Sequence, residues 1–204
     1  MIYELRTYTT KVGALPTVLK LFAERIAHRT KYSALGGFWS TEIGPLNQVV
    51  HLWPYESLEQ RAEVRSAFTT DPNWPPPIMN HLVDMTSDLI VPFSSIAPVA
   101  PGTYGPIYEL RRYVLEPGTG RSVNEIWDPM LEARSQFSRP LLIGTTEFGA
   151  LNTLIHIWPY ESLERRAAIR AQAVEAGVWP PPTAPQIQQM RNMIMLPTSF
   201  SPLQ

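Results

Sequence analysis

Hydrophobic and polar positions along this chain follow two periods, and the switches between them mark its elements. Ile2 to Tyr8 is rich in β-branched and aromatic residues and reads as a strand, after which Leu15, Val18, Leu19, Phe22 and Ile26 recur at helical spacing. Phe38 to Ile43 and Gln48 to Trp53 return to strand character on either side of Gly44-Pro-Leu-Asn47, which predicts a hairpin. Ser57 then opens an S-x-x-Q capping box, and Leu58, Ala62 and Phe68 mark a second helix that Pro72 and Pro75 to Pro77 terminate. Leu89-Ile-Val91, just before Pro92, supplies a last strand. The order β-α-β-β-α-β is the split βαβ, or ferredoxin-like, pattern.

The pattern is written twice. Ile2-Tyr-Glu-Leu-Arg-Thr-Tyr8 returns as Ile107-Tyr-Glu-Leu-Arg-Arg-Tyr113, and His51-Leu-Trp-Pro-Tyr-Glu-Ser57 returns as His156-Ile-Trp-Pro-Tyr-Glu-Ser162. Trp74-Pro-Pro-Pro77 returns as Trp179-Pro-Pro-Pro182, so each residue n of the first copy has its counterpart at n + 105. One offset over three separated blocks means two copies of a complete folding unit rather than turns of a solenoid. The fold class expected is α+β, with a first unit over 1–97, a linker over 98–106 and a second unit over 107–204. Pro98, Pro101, Gly102, Gly105 and Pro106 make the connecting stretch unable to hold ladder or helix. A four-stranded sheet with helices on one face needs cover on the other, and two such units can supply it to each other as a pseudo-twofold barrel. The competing arrangement pairs each unit with the same unit of a second chain, as a swapped or larger homo-oligomer.

Composition narrows the field. With 204 residues, 44% of them hydrophobic and 17% charged, the chain can bury a sizeable core. A net charge of −1 and the lack of any Lys/Arg block argue against nucleic acid as a partner. No apolar run approaches the roughly 18 residues of a membrane span. The absence of cysteine removes disulfides, thiolate metal sites and a Cys nucleophile, and suits a reducing compartment. The expectation is a mature cytoplasmic protein with no targeting segment.

The Tyr-Glu-Leu-Arg strand, the His-x-Trp-x-Tyr-x-Ser segment with arginines in the helix after it, and the Trp-Pro before the last strand together resemble the NIPSNAP family, over nearly the whole chain and twice. The resemblance implies a dimeric α/β barrel fold, shared with cofactor-free monooxygenases and EthD-like proteins, and no single agreed reaction. Animal members of that family are similar in carrying a mitochondrial leader and roles in mitochondrial quality control. Those roles are not carried over to this chain, which starts directly on its first strand.

Candidate chemistry follows from the polar strand faces. Glu4, Arg6 and Tyr8 share one face of the first strand, and His51 and Trp53 share one face of the third; Glu109, Arg111, Tyr113, His156 and Trp158 repeat the set. In a ferredoxin-like sheet those two strands are neighbours. The aliphatic face, with Val50 and Leu52, suits the helices, so the expectation places the polar set on the opposite face, with the two copies meeting across the pseudo-twofold. Glu4, Arg6 and His51, with Glu109, Arg111 and His156, then form candidate proton-transfer sites, a carboxylate or imidazole as base and a guanidinium facing a developing oxyanion. The structural reading is that these are ion pairs satisfying one another, and their retention in both copies favours it.

Trp39, Trp53, Trp74, His28 and Tyr32 are candidate ligand contacts for a small apolar metabolite. Trp39, His28, Arg25 and His81 correspond to Gly144, Ala133, Met130 and Gln186, which makes the first copy the candidate binding half. Arg61 and Arg65, one helical turn apart and repeated as Arg166 and Arg170, could hold a ligand carboxylate or phosphate, but read better as a solvated stripe pairing with Glu56, Glu59, Glu161 and Glu164; the Trp-Pro-Pro-Pro segments read as rigid connectors. The four histidines lack metal-ligand spacing, and no dinucleotide, P-loop or nucleophile-elbow motif is present, so no metal and no cofactor is assigned. Haem and flavin, which need none of these motifs, stay open. The function expected is therefore a cofactor-free small-molecule enzyme or binder working by proton transfer. Its alternative is a non-catalytic interaction protein or scaffold.

Overall fold

The computed structural model describes residues 1–204. Its first half runs β1 (Ile2–Thr10), α1 (Leu15–Arg29), β2 (Gly37–Ile43), β3 (Gln48–Tyr55), α2 (Leu58–Phe68) and β4 (Leu82–Pro92). The second half repeats this as β5 (Ile107–Leu115), α3 (Gly120–Ser135), β6 (Leu142–Phe148), β7 (Thr153–Tyr160), α4 (Leu163–Glu175) and β8 (Ile187–Pro197). The chain thus folds as two tandem ferredoxin-like units. Short 3-10 turns at Met79–His81 and Ala184–Gln186 lead into the last strand of each half.

Local chemistry accounts for these elements. Ser57 caps α2 by accepting from the Gln60 backbone N–H at 3.2 Å, while the Gln60 side chain accepts from the Glu56 N–H, one residue earlier than the usual box. Asn47 and Asn152 take left-handed backbone at the hairpin turns, a conformation that asparagine tolerates. β4 is much longer than its apolar stretch Leu89–Val91 suggested. Its polar start pairs along β1, with Asp84 and Thr86 exposed and Ser87 bonded to Glu4, so it carries no hydrophobic signal.

All eight strands form one closed antiparallel barrel in the order β1-β3-β2-β8-β5-β7-β6-β4. The halves join at two seams, β2 against β8 and β4 against β6, and the barrel is completed within a single chain. As expected, β1 lies beside β3, with Glu4 opposite Trp53 and Arg6 opposite His51; β5 and β7 repeat that register.

The interior of the barrel is largely apolar, with one ion pair, Arg112 to the buried Asp88 at 2.7 Å, on the inward face. Tyr3, Leu5, Val50, Leu52 and Ile90 from one half meet Tyr108, Leu110, Ile155, Ile157 and Met195 from the other in one core. A second and a third core lie outside the sheet, under α3–α4 and α1–α2 respectively. This reverses the expected assignment of faces. The aliphatic face lines the barrel, and Glu4, Arg6, His51 and Trp53 lie on the face that the helices cover. The interior of an eight-stranded barrel is just wide enough to be filled by side chains, so it takes close-packed aliphatic and aromatic residues. The Glu4 and Glu109 clusters go to the outer face, where long arginine side chains still reach water at the helix margins. The two polar sets consequently sit on separate outer faces and do not meet across the pseudo-twofold.

Candidate functional site

The first-half site is assembled from four elements. Alternation along β1 and β3 sends Glu4, Arg6, Tyr8, His51, Trp53 and Tyr55 to the helix side. The buried stripe of α1, Val18, Phe22, Ile26 and Arg29, lies over them. α2 adds Arg65 and Phe68, and the Trp74-Pro75-Pro76 segment closes one wall. Between them lies a cavity of about 200 Å3, lined mostly by apolar side chains with Glu4, Arg6, Arg29, His51 and Arg65 among them.

Glu4 is the electrostatic centre. Its Oε1 accepts from Arg6 Nη1 (2.6 Å), Arg61 Nη2 (2.8 Å) and Ser87 Oγ (2.8 Å), with Arg65 Nη1 at 3.8 Å. Burial by itself would raise the carboxyl pKa, but the Arg61 hydrogen bond, the Arg6 charge and Ser87 outweigh it and bring the value to about 2. Glu4 is therefore a fixed anion at neutral pH and a poor base. Arg61 and Arg65 belong to this network rather than to a solvated stripe paired with Glu56 and Glu59. The reason is reach: α2 lies over the sheet, so guanidiniums on its inner side find the buried carboxylate.

His51 is held in one tautomer. Trp53 Nε1 donates to its Nδ1 at 2.7 Å, so Nδ1 carries no proton. Burial, joined by the Arg6 and Arg29 charges, pushes the imidazole well below its ordinary pKa. The proton of the neutral ring therefore sits on Nε2, which has no partner within the protein. Such a ring donates a hydrogen bond but cannot take a proton at Nε2 without first losing one. Geometry thus disfavours both bases read from the sequence and offers instead a neutral N–H donor. Tyr8 completes the polar wall. Its hydroxyl accepts from Arg6 Nε at 2.7 Å, leaving its own proton uncommitted, and burial raises its pKa against the lowering effect of Arg6.

The second half reproduces the polar set with a larger side chain packed over it. Glu109 is gripped by both oxygens: Arg166 Nη2 (2.6 Å) and Nε (2.9 Å) bind it bidentately, with Arg111 at 2.7 Å and Asn192 at 2.9 Å. In the first half Glu4 Oε2 and Arg61 Nε are both buried without a partner. Trp158 Nε1 donates to His156 Nδ1 at 2.7 Å, repeating the tautomer lock. At the position of Phe22, however, stands Trp127, whose Nε1 donates to Thr183 Oγ1 at 2.8 Å. Thr183 is the counterpart of Ile78, so this indole crosses the volume that Phe22 and Ile78 leave between them in the first half.

Of the residues singled out in the sequence, Glu4, Arg6, His51, Trp53 and Trp74 converge on the cavity. Glu109, Arg111 and His156 converge in the second half beside Trp127. Trp39 does not join them: it is buried in the barrel interior near Tyr108, across from Pro197 at the β2–β8 seam. Its counterpart Gly144 lies at the other seam, where any side chain would collide with the Val91 carbonyl oxygen at 2.3 Å. That asymmetry therefore concerns the seams. Tyr32 hydrogen-bonds Asp71 at 3.3 Å, and both it and His28 lie outside the cavity lining. Tyr55 and Arg29 were missed, and Tyr8 was placed on the polar face without a role. Arg29 was legible, since it falls on the buried stripe of α1 and recurs as Arg134. No three His, Asp or Glu side chains come together as a metal-ligand group. None of the helices is long and apolar enough to cross a membrane.

A closed eight-stranded barrel from two ferredoxin-like units, helices outside, places this chain in the dimeric α/β barrel class with both protomers fused. A putative monooxygenase from Fusobacterium nucleatum shares this architecture at a TM-score of 0.69, over 96% of this chain and 91% of that one, at 10% identity. At such identity the likeness concerns the fold alone. The NIPSNAP family model matches residues 3–96 and again 108–202, and the chain belongs to the NIPSNAP family. It is similar to human Protein NipSnap homolog 3A, 31% identical over 217 residues covering 100% of this chain and 86% of that protein. A NipSnap homolog of Dictyostelium discoideum is 32% identical over 187 residues, covering 87% and 78% respectively.

Proposed function

We propose that the first half of this chain binds an apolar, oxygenated metabolite against the outer face of its sheet, and that the protein is a small-molecule enzyme or binder. One observation carries the reading: a cavity of about 200 Å3 adjoins His51 and Glu4, and the duplicate half fills the equivalent place with Trp127. Buried polar atoms are nearly always hydrogen-bonded, so Glu4 Oε2, unpaired here while its counterpart in Glu109 is bonded, points to a ligand that supplies a donor; the Nε2–H of His51, unpaired like that of His156, is a donor available to the same ligand. Within this reading His51 polarises a ligand oxygen, as an oxyanion-hole donor does, and Tyr8 holds the proton that can move. Glu4 positions Arg6 and Arg61 and does not act as base. The competing reading, an interaction protein with a purely structural polar set, accounts for the Glu109 network but leaves the cavity unexplained. A cysteine-free chain supports a reducing, cytoplasmic setting as part of the same reading.

The test is native mass spectrometry of freshly purified protein beside the variant Phe22→Trp/Ile78→Thr, which brings the Trp–Thr pair of the second half into the first. The expected result is a co-purifying small molecule, one per chain, that the variant lacks. Equal retention by both proteins would sink the proposal.

A further inference from the structure

We infer that the first-half cavity takes an amphipathic anion: an apolar body bearing one carboxylate, which the arginines of the cavity wall hold. The inference rests on the reading of this cavity as a ligand site and names the chemistry of its occupant. Three arginines line the cavity, Arg6, Arg29 and Arg65, against the single carboxylate of Glu4, an excess of two positive charges. The neutral His51 adds none. Arg6 is engaged by Glu4 and Tyr8. Arg29 is different: it is only 3% exposed, and its Nη atoms donate to the uncharged hydroxyls of Ser33 (2.7 Å) and Tyr55 (2.8 Å). Its guanidinium stacks over the Trp53 ring at 4.2 Å and the Phe68 ring at 4.6 Å, with no carboxylate paired to it.

Burying a cation without a counter-ion is costly, and a ligand carboxylate entering this dry wall supplies one. Arg65, with its side chain 39% exposed and 3.8 Å from Glu4, has donors to spare for the same group. The remaining wall, with Phe22, Trp74, Ile78 and Met85, is apolar and suits a hydrocarbon or aromatic body. The second half keeps the equivalent Arg134, buried, stacked over Trp158 at 4.5 Å and likewise without a carboxylate, so what sets Arg29 apart is the cavity that it lines. A purely structural role for these arginines predicts no preference for charge in a ligand, and that is the point on which the experiment turns.

The full chain is titrated calorimetrically with 2-naphthoate and, separately, with 2-naphthamide, which has the same shape and no charge. The expected result is one site per chain, with the acid bound at least ~10-fold more tightly than the amide, a difference of about 1.4 kcal/mol. Arg65→Gln, at a partly exposed position where folding is readily checked by circular dichroism, is expected to shrink that gap at least twofold. Phe22→Trp/Ile78→Thr is expected to abolish binding of both probes. Equal affinity for acid and amide, both lost in the Phe22→Trp/Ile78→Thr variant, would overturn the anion and leave the cavity reading standing. Undiminished binding of both probes by that variant would place them outside the cavity, and both readings would fall. Failure of the wild-type chain to bind either probe at millimolar concentration would overturn the inference as well.

Discussion

The two halves of this barrel carry the same polar residues in the same register, and they differ in how completely those residues are satisfied. In the second half every oxygen of Glu109 is bonded, Arg166 is bidentate, and Trp127 reaches across to Thr183. In the first half Glu4 uses one oxygen, Arg61 Nε is unpaired, and Phe22 stops short of Ile78 beside a cavity. The comparison teaches that a repeated polar set marks what the architecture needs, and that departure from the repeat marks where a ligand has room. The Glu-Arg cluster anchors a helix to the sheet in both halves. Among the cavity-lining positions Phe22 becomes Trp127 and Ile78 becomes Thr183, while Phe68 and Met79 shrink to Ala173 and Ala184, and the enlarged indole at 127 is the change that adds bulk where the first half has its cavity.

Several measurements would break or sharpen this contrast. The largest effect is expected at the carboxylates, since removing one partner of a buried ion pair costs about 3–5 kcal/mol. Glu109→Gln should fall at the upper end of that range and Glu4→Gln at the lower end, measured by urea unfolding, because the former strips more hydrogen bonds. Equal losses would erase the difference in satisfaction between the halves. Next is Trp127→Phe combined with Thr183→Ile. This pair should cost about 2–3 kcal/mol through lost packing and a lost hydrogen bond. It should also create a second cavity, raising the ligand stoichiometry from one to two per chain. Unchanged stoichiometry in a folded variant would show that something besides the indole closes the second half.

A third measurement concerns pH. His51 and His156 both have folded pKa values depressed by burial, below the roughly 6.5 of the unfolded chain. The unfolded state then binds more protons below that point, so stability should fall as pH drops from about 7 towards 5, by ~1.4 kcal/mol per histidine for each pH unit below 6.5. A further loss is expected below about 4.5, as the unfolded carboxyls of Glu4 and Glu109 take up protons that the folded ones resist. Flat stability between pH 7 and 5 would contradict the neutral, locked imidazoles. The smallest effect is a control: Ser57→Ala and Ser162→Ala remove N-caps that accept at 3.2 and 3.1 Å. Each should cost about 1 kcal/mol, equally in the two halves.

Much of this was legible in the residues. The 105-residue offset gave the duplication, the periodicities gave the element order, and the turn residues gave the hairpins. The pairing of β1 with β3 followed from the ferredoxin-like order, so the meeting of Glu4, Arg6 and His51 was foreseeable. The wrong asymmetry was chosen, however. Trp39 against Gly144 stood out as aromatic against nothing, yet it records how two seams close. Phe22 against Trp127 looked conservative, although along the stripe Val18/Val123, Ile26/Leu131 and Arg29/Arg134 it is the one position where size changes markedly.

By itself, the order of residues determined what is local: strands, helices, caps, turns and the neighbour relations of a duplicated unit. Which face of the sheet became the barrel interior was decided only by closure. Alternation has a period of two and labels two faces without ranking them, and here both are buried. The same holds for Arg61 finding Glu4 and for the cavity beside Phe22. These depend on distances between elements far apart in the chain, which exist only once the barrel has closed and the helices have packed on its outside.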